Sequence, residues 1–442
     1  MIWQGVPLGF DGPDIRRANP ISYNAGSDGS GNAPTLIFGP PGSSKTVGAI
    51  CCELLDEPGK RSYVVTDFKG EIYKITGDYR RRVSDVKVIC PYRMLDIKSD
   101  GWNPLNDLDP ADEYTFGDDA QGKGNALIKT GANENNPFFP DAARSAVTGG
   151  MLDEVRQADA GGRHRSLPVV RTVFSLEHER LRPIIERMVK SNDADIAPRV
   201  SKFLDANRET EAIKSTIETQ MAWMTAPMRK DMLTKSGVDF RECRKRPLTI
   251  YVILPISELQ SKSSYLRLLF SSALRALYRQ QDGVPTTLMI EEAFVLGHYE
   301  ELEIAASILR GFNCRLTIVF QSYSQIIRLY PQTHGLFTAG AIMSFRPADL
   351  DTAEWLVKRA GKEILPVLSS ADPASPADFG ARESWQQQQR DRIPLDTMFG
   401  MPRGRALIWL PHEEQPRDAW IKGYYDIPEL ARRAGVNPYY RR

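Results

Sequence analysis

A glycine-rich turn is the part of the sequence best suited to chemistry. It consists of Gly39, Pro40, Pro41, Gly42, Ser43, Ser44, Lys45 and Thr46. An apolar run, Thr35–Phe38, precedes it, and an amphipathic helical pattern follows it. A P-loop needs a strand, a turn whose N–H groups surround phosphates, a lysine, a hydroxyl for Mg²⁺ and a helix N-terminus. The turn therefore predicts binding of ATP and Mg²⁺. A glycine-rich turn without a ligand is the alternative.

Two adjacent acids follow another apolar run. Glu291 and Glu292 come directly after Thr287–Ile290. P-loop enzymes place one acid at a strand end to position Mg²⁺ and another to orient the attacking water. Such a pair alone is more often an ordinary strand end, but after a P-loop it indicates Glu291 as the metal-side acid and Glu292 as the catalytic acid. An aspartate is usual at the metal side, so Glu291 is one methylene longer.

A polar amide ends a third apolar run, Leu316–Phe320. Gln321 could sense the γ-phosphate or hold the attacking water at the tip of a strand beside the acids. In the alternative interpretation this is a helix start, with Ser322 as the cap. The residues themselves leave both possibilities open.

Short apolar strands and helical patterns alternate from Pro34 onward, which predicts an α/β fold with a mostly parallel sheet covered on both faces. The alternation stops between residues 137 and 243, where the patterns are helical. We therefore predict an extended N-terminal lead-in over 1–33 and a nucleotide-binding domain whose parts, 34–136 and 244–442, are separated by an all-helical insertion over 137–243. Residues 369–392 are expected to form a flexible surface loop.

The composition is that of a soluble globular protein, with 442 residues, 41% hydrophobic and 26% charged. The formal net charge is only +1, which excludes a global basic field for nucleic acid. Contact with DNA would need local clusters such as Arg80–Arg82 or Arg244–Arg246, whose simpler interpretation is a solvated surface.

The five cysteines form no CxxC pair, so buried thiols in a reducing cytosol explain them best. The longest apolar stretch is far shorter than the roughly 20 residues that cross a bilayer. No signal peptide is recognisable. We expect a cytoplasmic chain without a transmembrane segment.

Several linked motifs resemble the coupling proteins of conjugation and type IV secretion, a TraG-like family. They cover roughly residues 34–360 and have the order and spacing found in that family. The motifs are Asp67–Tyr73, Trp102–Leu105, Glu291–Phe294, Leu309–Phe312 and Val319–Gln325.

The resemblance implies a RecA-like P-loop ATPase that works as a hexamer. Such proteins gather DNA–relaxase or effector protein substrates and pass them to the components of a type IV secretion channel, so the resemblance also implies that partners bring the chain to the inner membrane. By position, Lys45 and Thr46 would bind phosphate and Mg²⁺, Glu291 would be the metal acid and Glu292 the catalytic acid. Gln321 would be the sensor.

Two further assignments follow from the resemblance. Arg310 would reach the nucleotide of a neighbouring subunit; its alternative is an ion pair with Glu301 or Glu303. The group Asp67, Lys69 and Glu71 would lie near the nucleotide, or else form a surface salt-bridge cluster.

Three departures from the family bear on the function. Ser44 replaces the usual glycine, and serine fits there if its backbone angles are ordinary. Glu291 replaces aspartate. The family's N-terminal membrane helices are missing, which suggests a shortened form, a separate membrane partner or a soluble branch.

The first two departures leave a second function possible, that of a substrate receptor that binds ATP structurally with little hydrolysis. Another rival, an FtsK-like DNA pump, should carry a separate winged-helix module, for which the sequence after Asp426 is too short.

Overall fold

The computed structural model describes residues 1–3, 5–23, 33–130, 137–191, 193–233, 237–371 and 382–440. The strands are β1 (Val6–Phe10), β2 (Pro20–Tyr23), β3 (Thr35–Phe38), β4 (Ser62–Asp67), β5 (Asp85–Ile89), β6 (Leu248–Ile253), β7 (Thr286–Ile290), β8 (Cys314–Phe320), β9 (Ala341–Ser344), β10 (Lys362–Ala371), β11 (Arg382–Asp391), β12 (Arg405–Trp409) and β13 (Arg417–Trp420). The helices are α1 (Cys51–Asp56), α2 (Glu71–Val83), α3 (Phe116–Leu127), α4 (Phe138–Ala160), α5 (Leu167–Phe174), α6 (His178–Lys190), α7 (Ala197–Val200), α8 (Arg208–Gln220), α9 (Ala226–Met232), α10 (Glu242–Lys245), α11 (Ser263–Tyr278), α12 (Glu300–Ile308), α13 (Tyr323–Leu329), α14 (His334–Phe337), α15 (Leu350–Ala360), α16 (Leu395–Phe399) and α17 (Pro428–Ala431).

In the described residues, eleven strands form one sheet in the order β2-β1-β13-β12-β9-β3-β8-β7-β4-β6-β5. The neighbours from β9 to β5 all run parallel. The strands from β2 to β12 add antiparallel pairs at the other end, and β12 joins β9 in antiparallel register. The predicted α/β class with a mostly parallel sheet is confirmed.

Both faces of the parallel part are buried. Along β3, Leu36 and Phe38 pack into the core on one face, whereas Ile37 packs into the core on the other. Along β4, Val64 and Val65 divide in the same way. Strands that are buried on both faces have continuous apolar sequences, because neither face is left for polar side chains.

Helices fill the described chain between β5 and β6, from α3 to α10, without a strand among them. Their apolar side chains continue the core of one sheet face, so that Phe174 and Ile217 belong to the same cluster as Leu288. The Trp102 ring lies between the segment before α10 and helix α11. Its centroid is 6.0 Å from that of Phe240 and 5.6 Å from that of Tyr265. A separate domain with limits at 137 and 243 remains a prediction. No helix in the described part of the chain is long and apolar enough to cross a membrane.

The expectation of an extended lead-in over 1–33 is wrong for its described part. β1 pairs with β2 and with β13, and its side chains Val6, Leu8 and Phe10 are buried. Pro7 and Gly9 weaken the local strand signal in this segment. The strand pairs with β2 at four positions, and its Phe10↔Trp420 pair with β13, some 400 residues further along the chain, joins it to the main sheet.

The predicted flexible loop over 369–392 is also corrected in part. β10 and β11 pair as an antiparallel hairpin from Lys362↔Asp391 to Ala371↔Arg382. Residues 372–381 lie outside the described residues. The polar composition that suggested a loop belongs here to a two-stranded sheet separate from the main one.

Candidate nucleotide-binding site

Four neighbouring parallel strands bring the predicted site residues to one edge of the sheet. β3, β8, β7 and β4 lie side by side, and their carboxyl ends point the same way. The P-loop follows β3, Gln321 follows β8, Glu291 and Glu292 follow β7, and Asp67 ends β4. Ligands in open α/β sheets bind outside the carboxyl ends of the strands.

The P-loop contains two residues with left-handed backbone angles. Gly42 has φ of 78° and Ser44 has φ of 72°. The condition that serine keeps ordinary angles at position 44 is therefore not met, because the turn needs a conformation that glycine adopts freely. For a residue with a Cβ this conformation costs about 1–2 kcal/mol. Ser44 thus holds local strain at the loop.

The Lys45 amino group lies inside the loop. Its Nζ donates to the carbonyl oxygens of Gly39 (2.5 Å) and Pro40 (2.9 Å) and to the hydroxyl of Ser43 (3.4 Å). Burial lowers the pKa of Lys45, and the carboxylates of Glu292 and its neighbour oppose this effect. A cation is thus held within a glycine-rich turn that leads into a helix N-terminus, an arrangement that favours an anion such as phosphate.

The two predicted metal-side residues touch each other. The Thr46 hydroxyl donates to Oε1 of Glu291 at 2.8 Å. Burial raises the pKa of Glu291, while the hydrogen bond from Thr46 lowers it. The sequence did not single out Thr66, whose hydroxyl accepts a 2.7 Å hydrogen bond from the Glu291 backbone N–H. A polar residue near the end of the strand beside the acids was the available signal.

Thr46 and Glu291 supply the oxygen donors that Mg²⁺ prefers. In the described part of the chain, no group of three or more His, Cys, Asp or Glu side chains could hold a metal ion. Protein Mg²⁺ sites commonly use one or two carboxylates together with substrate phosphates and water. The pair therefore fits Mg²⁺ that arrives with a phosphate group.

The predicted catalytic acid and sensor are also joined. The side-chain amide of Gln321 donates to Oε2 of Glu292 at 2.8 Å, and the Gln321 backbone N–H donates to Gln325 at 3.0 Å. Glu292 has φ of 57°, a strained conformation of the kind that clusters at functional sites. Ser322 occupies the N-cap position of α13 without a side-chain capping bond. The geometry therefore favours the site interpretation of Gln321 over the helix-cap interpretation.

The group Asp67, Lys69 and Glu71 is not a surface salt-bridge cluster, since Asp67 and Glu71 are buried. Asp67 accepts hydrogen bonds from the backbone N–H groups of Tyr73 (2.9 Å) and Lys69 (3.3 Å). Burial raises the pKa of Asp67 to about 7, and the nearby Glu291 carboxylate adds to the shift. The exposed Lys69 lines the same cleft as the P-loop.

Arg310 is not brought to the site of its own chain. It is exposed on a short turn, Leu309–Phe312, before β8 begins. Gln321 lies beyond the other end of that strand, about 20 Å away for an extended seven-residue segment. Among the described residues, Arg310 has no ion pair with Glu301 or Glu303, which bond instead to other side chains.

Residues near the C-terminus, which the sequence did not indicate as part of the site, also line the cleft. The cleft at the P-loop is lined on its far side by Arg403, Tyr425, Asn437, Tyr439 and Tyr440. Closely spaced tyrosines near the C-terminus were the available signal, but nothing in the sequence connects them with a turn some 400 residues earlier.

The family model for type IV secretory system conjugative DNA transfer matches residues 13–434. The chain belongs to this family. The resemblance seen in the motifs from Asp67 to Gln325 is therefore confirmed across nearly the whole chain.

Curated relatives in the family are distant and longer. The conjugal transfer protein TraG of Rhizobium radiobacter is 23% identical over 244 residues, which cover 53% of this chain and 38% of that protein. Protein VirD4 of the same organism is 22% identical over 351 residues, covering 76% of this chain and 49% of that protein. The chain thus spans between about a third and a half of the length of these relatives.

Solved structures support the fold. The unbound conjugative coupling protein TrwBdeltaN70 has a TM-score of 0.67 at 12% identity, with 91% of this chain and 86% of that chain covered. The plasmid coupling protein TrwB in complex with ADP and Mg²⁺ has a TM-score of 0.65 at 13% identity, covering 90% and 86%. The predicted RecA-like P-loop fold is confirmed.

Proposed function

We propose that this chain is the coupling ATPase of a conjugation or type IV secretion system. It would hydrolyse ATP to drive DNA–relaxase or protein substrates into the channel. The observation that carries the proposal is the convergence, at one sheet edge, of Lys45 with the hydrogen-bonded pairs Thr46–Glu291 and Gln321–Glu292. The relatives named for conjugal transfer support the biological setting.

Each residue at this edge has a role in the proposal. Lys45 would bind the β- and γ-phosphates, and Thr46 and Glu291 would hold Mg²⁺, whose charge favours attack at the phosphate. Glu292 would accept the proton of the attacking water. Gln321 would keep that carboxylate in position, since its amide already donates to Oε2.

The proposal extends to assembly and recruitment. The chain would act as a homohexamer at the cytoplasmic side of the inner membrane, where Arg310 of one subunit completes the site of the next. The helices between residues 137 and 243 would recruit substrates, because the nucleotide site uses none of them. Contact with DNA would be electrostatic and independent of sequence.

One observation favours a second candidate, a substrate receptor that binds ATP structurally. Ser44 is strained where the family has glycine, and this strain would slow hydrolysis more than binding. An FtsK-like pump has no observation of its own in its favour.

Steady-state ATPase assays with and without DNA separate the two candidates. A coupling ATPase turns over ATP, and DNA stimulates the rate. Glu292→Gln should keep ATP binding and lose turnover, because an amide cannot accept the proton. Lys45→Ala should lose binding as well. Tight ATP binding by the unaltered chain, with no turnover in any condition, would establish the receptor instead.

A further inference from the structure

The cleft that contains the P-loop is larger than a triphosphate requires. Its volume is about 1170 Å³, and it extends from Lys45 and Thr46 to the last segment of the chain. Pockets for small ligands typically measure about 300–1,000 Å³. The part beyond the P-loop therefore has room for a ribose and a base.

The last segment, Gly435–Tyr440, is fixed to the rest of the site by hydrogen bonds. The Asn437 side chain donates to Oε1 of Glu71 at 2.7 Å, and the Tyr439 hydroxyl donates to the Lys69 carbonyl at 2.8 Å. These bonds give the Lys69–Glu71 turn a role in holding this wall of the cleft.

The approach of this segment to α2 depends on a glycine. The Gly435 backbone N–H donates to the carbonyl of Ile75 at 2.7 Å. A Cβ at position 435 would lie 2.3 Å from the carbonyl oxygen of Lys74. Since no side chain tolerates that distance, the residue type itself allows the segment to lie here.

The same segment presents aromatic rings to the cleft. Oδ1 of Asn437 accepts hydrogen bonds from the backbone N–H groups of Tyr439 (2.9 Å) and Tyr440 (3.3 Å), which folds the chain into a turn. The Tyr440 side chain lines the cleft although it is 69% exposed, and Tyr425 lines it at 38% exposure. Partly exposed tyrosine side chains beside the P-loop suit the planar face of a nucleobase.

We propose that Gly435–Tyr440 forms the base-binding wall of the nucleotide site, with the rings of Tyr440 and Tyr425 stacking on the base. Asn437 and Tyr439 are positioning residues that hold the segment against the Lys69–Glu71 turn. This inference rests on the proposed nucleotide site and adds to it the part that distinguishes a nucleotide from bare phosphate.

The test compares two ligands, ATP and inorganic tripolyphosphate, by titration calorimetry on the full chain. Tyr440→Ala should weaken ATP binding about tenfold, because base–aromatic stacking is lost. Its affinity for tripolyphosphate should not change, since that ligand has no base. Tyr440→Phe keeps the ring and should keep the ATP affinity. Tyr114→Ala is the matched control, because Tyr114 is 93% exposed and does not line the cleft.

The outcomes separate this inference from the proposed function. Lys45→Ala should lose both ligands, which tests the phosphate site alone. Unchanged ATP affinity in Tyr440→Ala and Tyr425→Ala would overturn the base-binding wall while leaving the phosphate site intact. Tighter ATP binding in those variants would also overturn it and would show that the segment obstructs the site. Failure of the unaltered chain to bind either ligand would overturn the nucleotide site, and the wall with it.

Discussion

The side-chain amide of Gln321 lies 2.8 Å from Oε2 of Glu292 and donates a hydrogen bond to it. The two residues follow neighbouring parallel strands, β8 and β7. A carboxylate held by a neutral amide donor remains available to orient water, whereas an ion pair with lysine or arginine would compete for it. The contact therefore links the proposed sensor to the proposed catalytic acid before any nucleotide enters.

Gln321→Ala should lower turnover about 10²-fold, which is typical for the loss of one preorganised hydrogen-bond donor at an active site. The ATP affinity should remain, because among the described residues the Gln321 side chain donates to Glu292 and not to the P-loop. Single-turnover hydrolysis and equilibrium ATP binding measured on the same preparation check this. An equal loss of affinity and rate would instead assign Gln321 to nucleotide binding.

Glu291→Asp restores the residue that is usual in such sites, and the sequence alone suggests equal or faster hydrolysis. The structure leads to the opposite expectation. Oε1 of Glu291 is 2.8 Å from the Thr46 hydroxyl, and a side chain shorter by one methylene would withdraw from it. We expect roughly a tenfold loss of kcat, about 1.4 kcal/mol in the barrier. A Mg²⁺ titration of the ATPase rate should show a higher requirement for the metal. A rate at or above that of the unaltered chain would contradict this reasoning.

Ser44→Gly should stabilise the fold by about 1 kcal/mol, because glycine adopts a positive φ without the penalty of a Cβ. Denaturant unfolding measures the difference. Ser44→Ala is the matched control, since it removes the hydroxyl but keeps the Cβ and should bring no gain. Equal stabilisation by alanine would show that the hydroxyl, not the backbone conformation, is the unfavourable feature.

Arg310→Ala should cut turnover by about 10³–10⁵ if Arg310 completes the site of a neighbouring subunit. Its position at the opposite edge of the sheet from its own P-loop is the reason to expect action between subunits. Mixing Arg310→Ala with Glu292→Gln should restore part of the activity, because some interfaces then combine an intact arginine with an intact glutamate. Oligomers confirmed by light scattering, without any recovery on mixing, would remove Arg310 from the site.

We expect Asp231 to make the stability of the fold depend on pH. Burial raises the pKa of Asp231 to about 6, while hydrogen bonds with Ser99 and the Trp102 backbone lower it. The folded state then binds the proton more tightly than the unfolded state, so this residue makes the free energy of unfolding fall as pH rises from about 4 to above 6. The loss is on the order of 3 kcal/mol.

Asp231→Asn should flatten that part of the stability profile. Urea unfolding at intervals between pH 4 and 8 measures the slope, which a general structural defect would leave unchanged. Asp118→Asn, at an exposed carboxylate on α3, is the matched control. Parallel profiles for Asp231→Asn and the unaltered chain would rule out Asp231 as the source.

Much of the site could be predicted because its parts are local. The segment from Thr35 to Thr46 carries its own strand, turn and helix signals, and the buried strands have continuous apolar sequences that few other structures explain. Parallel strands share one carboxyl edge, so the expectation that Glu291, Glu292 and Gln321 lie near the P-loop followed from the fold class. The family motifs supported the same conclusion.

Tertiary structure decided the features that depend on contacts between distant segments. The pairing of β1 with β13 and the hydrogen bond from Tyr439 to Lys69 each join residues hundreds of positions apart. The order of the strands in the sheet depends on contacts of the same kind. The left-handed angle of Ser44 and the location of Arg310 away from its own P-loop are likewise set by how the turn and the strands pack. A local sequence determines the secondary-structure propensity and the hydrophobic pattern of a segment. The free energy that selects which other segment pairs with a strand edge or packs against a loop comes from contacts between segments. The sequence alone therefore determined the chemistry of the phosphate site, and only the folded chain determined which residues surround it.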